Sequence, residues 1–220
     1  IVHSFASWGV ELLRLPVRGG KSAAENGAGP YLRGNIVVNT DATTRIPVGS
    51  LKQLMRAFID PSVGVATGYA TSVGDLDAAV NRGESGYLSY EMWVRTLETR
   101  LGTIVGASGC FFASRVELYV SNFPIGLSRD FASCLIAHDR GYRAVSMERA
   151  VCHVPLSSSV RNEFRRKVRT MARGLDTLWY MRHLLNPFRH GWFSVMLFSH
   201  KLARWLFQLT FPLGVIGVAL

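Results

Sequence analysis

The sequence predicts an α/β fold with a mostly parallel sheet flanked by helices, and three observations carry that reading. Two short β-branched runs, "NIVVNT" (residues 35–40) and "VGVATGYATSV" (residues 63–73), bracket "VGSLKQLMRAFIDP", in which Leu51, Leu54, Met55 and Phe58 recur at helical spacing. Strand, helix and strand in succession favour parallel pairing through crossovers, with ligands met beyond the carboxyl ends of the strands. Basic charge gathers late, since residues 161–190 hold eight Lys and Arg against Glu163 and Asp176, and apolar residues crowd the end of the chain.

Taken in order, the N-terminal "IVHSFASWGVELLRL" has no basic start, no cleavage-site pattern and no initiator Met, so it reads as a chain already in progress and not as a secretory signal. "GGKSAAENGA" follows, then the first β-branched run, which ends on a single carboxylate, Asp41, before a polar turn that closes at Pro47. After the second run, "YLSYEMWVRTLETRLG" (residues 87–102) has the pattern of an amphipathic helix closed by Gly102. The small residues Gly106, Ala107, Ser108 and Gly109 then form a tight loop ahead of a short apolar strand and a helix. Ser128 is a good N-cap, Phe131, Leu135 and Ile136 form the apolar stripe of the helix behind it, Gly141 ends that helix, and "YRAVSM" resumes a strand. Asp130 falls in the helix's first turn. From Ser159 to about Leu185 the pattern is a long basic helix, broken by "NPFRHG". The final segment is interrupted by His200, Lys201 and Arg204 and has no charge over the 16 residues from Trp205 to Leu220. A bilayer crossing takes about 20 residues, so the chain is expected to stop inside its first transmembrane helix, with flanking Arg and Trp at the boundary.

At 220 residues there is room for one sizeable domain and an appendage. Three cysteines, Cys110, Cys134 and Cys152, lack any metal-ligand spacing and read as buried thiols of a reducing compartment. The net charge of +10 and the basic window suit a diphosphate, an anionic membrane surface or nucleic acid. The apolar tail argues against nucleic acid.

Four features in order, with the basic helix, make one candidate site: Lys21 and Asn26, Asp41, the loop Gly106–Gly109, and Asp130, with Arg166 and Arg169 to follow. In this order they resemble the family 2 glycosyltransferases, the membrane-associated group that includes hyaluronan, chitin and cellulose synthases. "GKSAAEN" matches the family's GKxxAxN stretch, "DAT" its DxD, "GASG" its small-residue loop, "RD" its ED pair, and "RKVRT" its QxxRW-type motif. The resemblance covers nearly the whole chain. Three positions depart from it: Thr43 stands for the second acid of DxD, Arg129 for the glutamate of ED, and Arg166 and Thr170 for the Gln and Trp of QxxRW.

The resemblance implies a GT-A-like catalytic domain over residues 1–158, lacking its first strand, a basic amphipathic helix at the membrane interface over 159–190, and an interfacial helix leading into a truncated transmembrane segment over 191–220. It implies transfer of a sugar from a nucleotide-sugar donor to a hydroxyl acceptor, a glycan or a lipid, with inversion, on the cytoplasmic side of a membrane. Asp130 would be the general base. Lys21, Asn26, Asp41, Arg166 and Arg169 would hold the donor, and Gly106 to Gly109 would face the acceptor. Mg or Mn would sit at Asp41, where Thr43 offers only a neutral oxygen and His153 is a further possible ligand. Glu91 and its aromatic neighbours are expected to pack beside the acceptor groove. The departures at Thr43 and Arg129 are the features that favour the alternative, a catalytically silent membrane protein of the same fold that binds a nucleotide or a partner.

Overall fold

The computed structural model describes residues 2–73, 79–155, 159–207 and 210. Among the described residues four strands form one sheet: β1 (Ile36–Thr40), β2 (Val63–Val73), β3 (Phe111–Arg115) and β4 (Arg143–Pro155). Helices α1 (Gly20–Ala28), α2 (Ser50–Met55), α3 (Ala79–Arg100), α4 (Arg129–Asp139) and α5 (Val160–Tyr180) surround it. Two short helices, α6 (Pro187–His190) and α7 (Trp192–Leu197), and a π-helical turn, Phe198–Ala203, complete the C-terminal part.

The α/β class is as expected, but the sheet is mixed instead of mostly parallel. Its order is β1-β3-β2-β4, with β3 antiparallel to both β1 and β2, and only β2 and β4 parallel. The inserted antiparallel strand matters for the site. Because β3 runs against β1, Thr40 at the end of β1 pairs with Phe111 at the start of β3, so Asp41 lies beside the loop that precedes β3. Its amide donates to the Cys110 carbonyl at 3.4 Å.

Successive strand residues face opposite layers. Ala66 and Phe111 join Leu54, Val63 and Met92 on the α2/α3 side, whereas Val65 and Phe112 join Ile104, Cys134 and Ala144 on the α4 side. Gly102 and Gly141 close α3 and α4 at φ +122° and +79°, which L side chains rarely adopt.

The described C-terminal residues pack on the α/β core. Leu178 and Leu184 with Phe193, Leu197 and Trp205 share one buried cluster with Val105, Phe131 and Leu135 of the α/β core. Trp205 lies so close to α5 that a Cβ at Gly174 would come within 2.6 Å of its ring. The expected transmembrane segment lies mostly outside the described residues. Among those described, no helix is long and apolar enough to cross a membrane.

Candidate active site

A cleft of about 570 Å³ opens at the carboxyl ends of β1, β2 and β4, bounded by α1, the loop before β3, the start of α4 and one face of α5. Asp41 from the β1 end, Ser108 and Gly109 from the loop, and Asp130 from the first turn of α4 all line it. Lys21 on α1 ties these parts together. Its Nζ donates to Asp41 Oδ1 at 2.6 Å and to the Gly109 carbonyl at 3.0 Å. Burial works against the ammonium charge, but Asp41, Glu25 and Asp130 outweigh it and raise the Lys21 pKa above the ordinary lysine value.

Asp130 is held in a defined pose. Ser128 Oγ donates to its Oδ1 at 2.6 Å, and its Oδ2 lies so close to Gly109 that a Cβ there would be 2.7 Å away. A glycine at 109 is therefore what admits the carboxylate to the loop. The opposite wall is basic, with Arg166, Arg169 and Arg173 of α5 all lining the cleft. Arg166 also pairs with Glu163 at 2.7 Å. The cleft thus offers Lys21 and three guanidinium groups around space for a ligand, with carboxylates near its floor, an arrangement fitted to a phosphate-bearing molecule.

Not every expected residue reaches this cleft. Asn26 is spent on structure: its Nδ2 donates to the Phe123 carbonyl at 2.7 Å, and its Oδ1 accepts from the Phe123 amide at 3.2 Å and from Arg129. It joins α1 to the segment before α4 and is not a lining residue. Gly106 and Ala107 sit beneath the cleft, Gly106 against Lys201 and the Ala107 carbonyl accepting from Arg95, so only the second half of the expected acceptor loop is presented. Thr43 is exposed in the turn after Asp41 and does not line the cleft. His153 faces Thr71, Nδ1 to Oγ1 at 2.8 Å, and also lies outside the lining.

Other lining residues were not singled out from the sequence. Arg173 continues the face of Arg166 and Arg169 at helical spacing, a signal the sequence does carry. Glu25 is one turn from Lys21, with its carboxyl pKa raised by burial against the pull of Lys21 and Arg129. Cys110 also contributes, and so does Tyr87, one of the aromatic neighbours of Glu91 expected beside the acceptor groove. The Cys110 thiol is drawn below its ordinary value, chiefly by its hydrogen bond with Cys152 at 3.6 Å and also by Ser108.

Among the described residues no three His, Cys, Asp or Glu side chains converge as a metal site. Asp41 is the one carboxylate at the expected position, and Lys21 binds its Oδ1. Such a donor set does not cage a cation, but it fits a hard divalent ion that draws most of its ligands from phosphate oxygens and water.

No protein-family model matches the sequence, nor does any curated protein. Solved structures do match the fold. A mannosyltransferase from Pyrobaculum calidifontis, solved with GDP-mannose and Mn²⁺, aligns with a TM-score of 0.61 at 20% identity, over 97% of this chain and 66% of that one. Glucosyl-3-phosphoglycerate synthase from Mycobacterium tuberculosis, solved with phosphoglyceric acid, aligns with a TM-score of 0.49 at 16% identity, over 80% of this chain and 62% of that one. The chain therefore spans slightly less than two thirds of the length of these structures. The chain thus has a GT-A-like fold, shared with that mannosyltransferase.

Proposed function

We propose that this chain is the catalytic part of a family 2, hexosyltransferase-like glycosyltransferase that moves a sugar from a nucleoside-diphosphate donor to a hydroxyl acceptor with inversion. One observation carries the reading: Lys21 bridges Asp41 and the Gly109 carbonyl in the same cleft that Asp130 and the three arginines of α5 line. The donor's diphosphate would lie between Lys21 and Arg166, Arg169 and Arg173, where charge-assisted hydrogen bonds bind it and strengthen as the leaving group gains charge. Mg or Mn, held by Asp41 with the diphosphate, would add to that charge compensation.

The acceptor oxygen attacks the anomeric carbon as the bond from that carbon to the diphosphate oxygen breaks, and Asp130 takes the acceptor's proton. A single displacement from the opposite face inverts the sugar carbon. Ser128 keeps the Asp130 carboxylate oriented for this step. The Mn²⁺ and nucleotide sugar in the mannosyltransferase complex support the donor class.

Calorimetric titration with GDP- and UDP-sugars, with and without Mn²⁺, tests the reading. Wild type is expected to bind one of them, and Lys21→Ala to weaken that binding about ten- to hundredfold. An unchanged affinity in the variant, or no binding of either donor by wild type, would overturn it. Binding without any transfer would favour the catalytically silent alternative, to which the exposed Thr43 already lends weight.

We also infer that the C-terminal part docks on an anionic membrane, with the catalytic domain on the cytoplasmic side. Trp179, Phe188 and Trp192 are 71%, 99% and 79% exposed, and the sequence interleaves them with Arg182 and Arg189, the composition of an interfacial surface. The full chain should co-sediment with vesicles containing phosphatidylglycerol and much less with phosphatidylcholine alone. Equal partition to both, or to neither, would contradict this assignment.

A further inference from the structure

The chain buries a cluster of charge beneath the cleft that the transfer reaction does not use. Glu91 and Glu98 lie two turns apart on α3, each 4% exposed. His200 spans them, with Nε2 3.2 Å from Glu91 Oε2 and Nδ1 2.7 Å from Glu98 Oε1. Lys201 reaches Glu91 Oε1 at 3.0 Å, Arg204 reaches Oε2 at 2.7 Å, and Arg95 reaches Oε1 at 3.2 Å. The three C-terminal partners come from the π-helical turn and the residue after it, and π turns recur where a helix has been adapted to a function.

Burial of so many ions is a poor way to gain stability, since their desolvation offsets most of their attraction. The two sides of the cluster differ: burial lowers the Lys201 pKa despite the nearby Glu91 carboxylate, whereas at Glu91 burial is outweighed by Lys201, His200 and Arg95, which hold the carboxyl well below its ordinary value. What the cluster does provide is position. Glu98 Oε2 accepts from the Val105 amide at 3.3 Å, the Lys201 stem lies against Gly106, and Arg95 donates to the Ala107 carbonyl at 3.4 Å. Three consecutive loop residues are thereby fixed, and the next two, Ser108 and Gly109, line the cleft. On the other side the Arg204 guanidinium lies 5.6 Å from the ring centroid of Tyr87, another lining residue, whose hydroxyl is 3.5 Å from Glu91 Oε2.

We propose that residues 200–204 are a positioning element of the active site: gathered on Glu91, they hold the loop 105–109 and Tyr87 in register with Lys21 and Asp130. The functional half of this proposal rests on the donor-site reading above. The structural half does not.

The test uses Lys201→Met, Lys201→Arg and, as a second lesion, Arg204→Gln, with Leu54→Val as a variant that loosens the α2/α3 side of the core, a cluster that holds Phe111 but none of residues 105–109. Hydrogen exchange is followed across the chain, together with kcat and KM. In Lys201→Met and Arg204→Gln, exchange at the amides of residues 105–109 should rise about tenfold while β2 and β4 keep their protection. Turnover should fall about a hundredfold with a smaller change in KM, because misplacement of the loop acts on the reacting geometry. Lys201→Arg should restore protection and turnover together. The proposal is overturned if the loop exchanges no faster than it does in Leu54→Val, or if Lys201→Arg loses protection and turnover as fully as Lys201→Met. If wild type binds no nucleotide sugar, the donor reading fails, and the exchange data alone still decide whether this element fixes the loop.

Discussion

Replacing Asp130 by asparagine is expected to lower sugar transfer by about 10²–10⁴-fold, the usual contribution of a positioned general base, with donor affinity nearly intact. The two side chains have the same shape, and the amide oxygen of asparagine can still accept the Ser128 hydroxyl that now meets Oδ1 at 2.6 Å. The pose beside Gly109 therefore survives and only the capacity to take a proton is lost. Asp130 also sits in the first turn of α4, where a negative charge interacts favourably with the helix dipole, but that effect is worth about 0.3–1 kcal/mol and acts on stability. Turnover and a melting curve thus separate the two roles. Single-turnover transfer in the variant, with calorimetric donor affinity alongside, is the measurement. Transfer at the wild-type rate would remove Asp130 from the chemistry and leave it as a helix-capping acid.

The elements that local pattern dictates were legible in the sequence. The β-branched run ending on Asp41, the amphipathic pattern of α3, the Ser128 start of α4 and the glycines at 102 and 141 each depend on neighbours a few residues away. What was not legible depends on pairing over long separations. Nothing local reveals that β3 inserts antiparallel between β1 and β2, yet that insertion sets Asp41 beside Gly109. Asn26 looked like a ligand residue because its motif is one, and only the fold brings Phe123 and Arg129 to it. The C-terminal "SHKLAR" looked like polar breaks in a membrane-bound stretch. Its charges instead answer two carboxylates on α3, about a hundred positions earlier in the chain. Arg173 differs from these cases, since its place on the face of Arg166 and Arg169 follows from helical spacing alone.

The second large effect is on stability. Arg129→Glu would restore the acidic pair of the family this chain resembles, and it is expected to destabilise the protein by about 3–5 kcal/mol, the cost of breaking a buried ion pair from one side. For a chain of this size that corresponds to a melting temperature lower by roughly 10 °C. The Arg129 side chain is 6% exposed, with its Nε 3.2 Å from Glu25 Oε2. Its guanidinium donates to the Val120 carbonyl at 2.9 Å and to Asn26, and stacks 4.5 Å from the centroid of Tyr119 and 4.8 Å from that of Phe123. A carboxylate at 129 would lose every one of these partners and confront Glu25, whose own carboxyl is already raised by burial. In a double-mutant cycle, Glu25→Gln combined with Arg129→Met should cost clearly less than the sum of the single changes, because each alone leaves its partner's buried charge unpaired. Additive losses, or an Arg129→Glu variant that melts with wild type, would show that the pair holds nothing. If the pair holds as argued, the departure at this position is compensated by Glu25 and Asn26, which keep the start of α4 anchored and Asp130 aimed at the cleft. Arg129 then counts as a re-paired anchor, and its difference from the family pattern does not argue for a silent site. That argument rests on Thr43 alone.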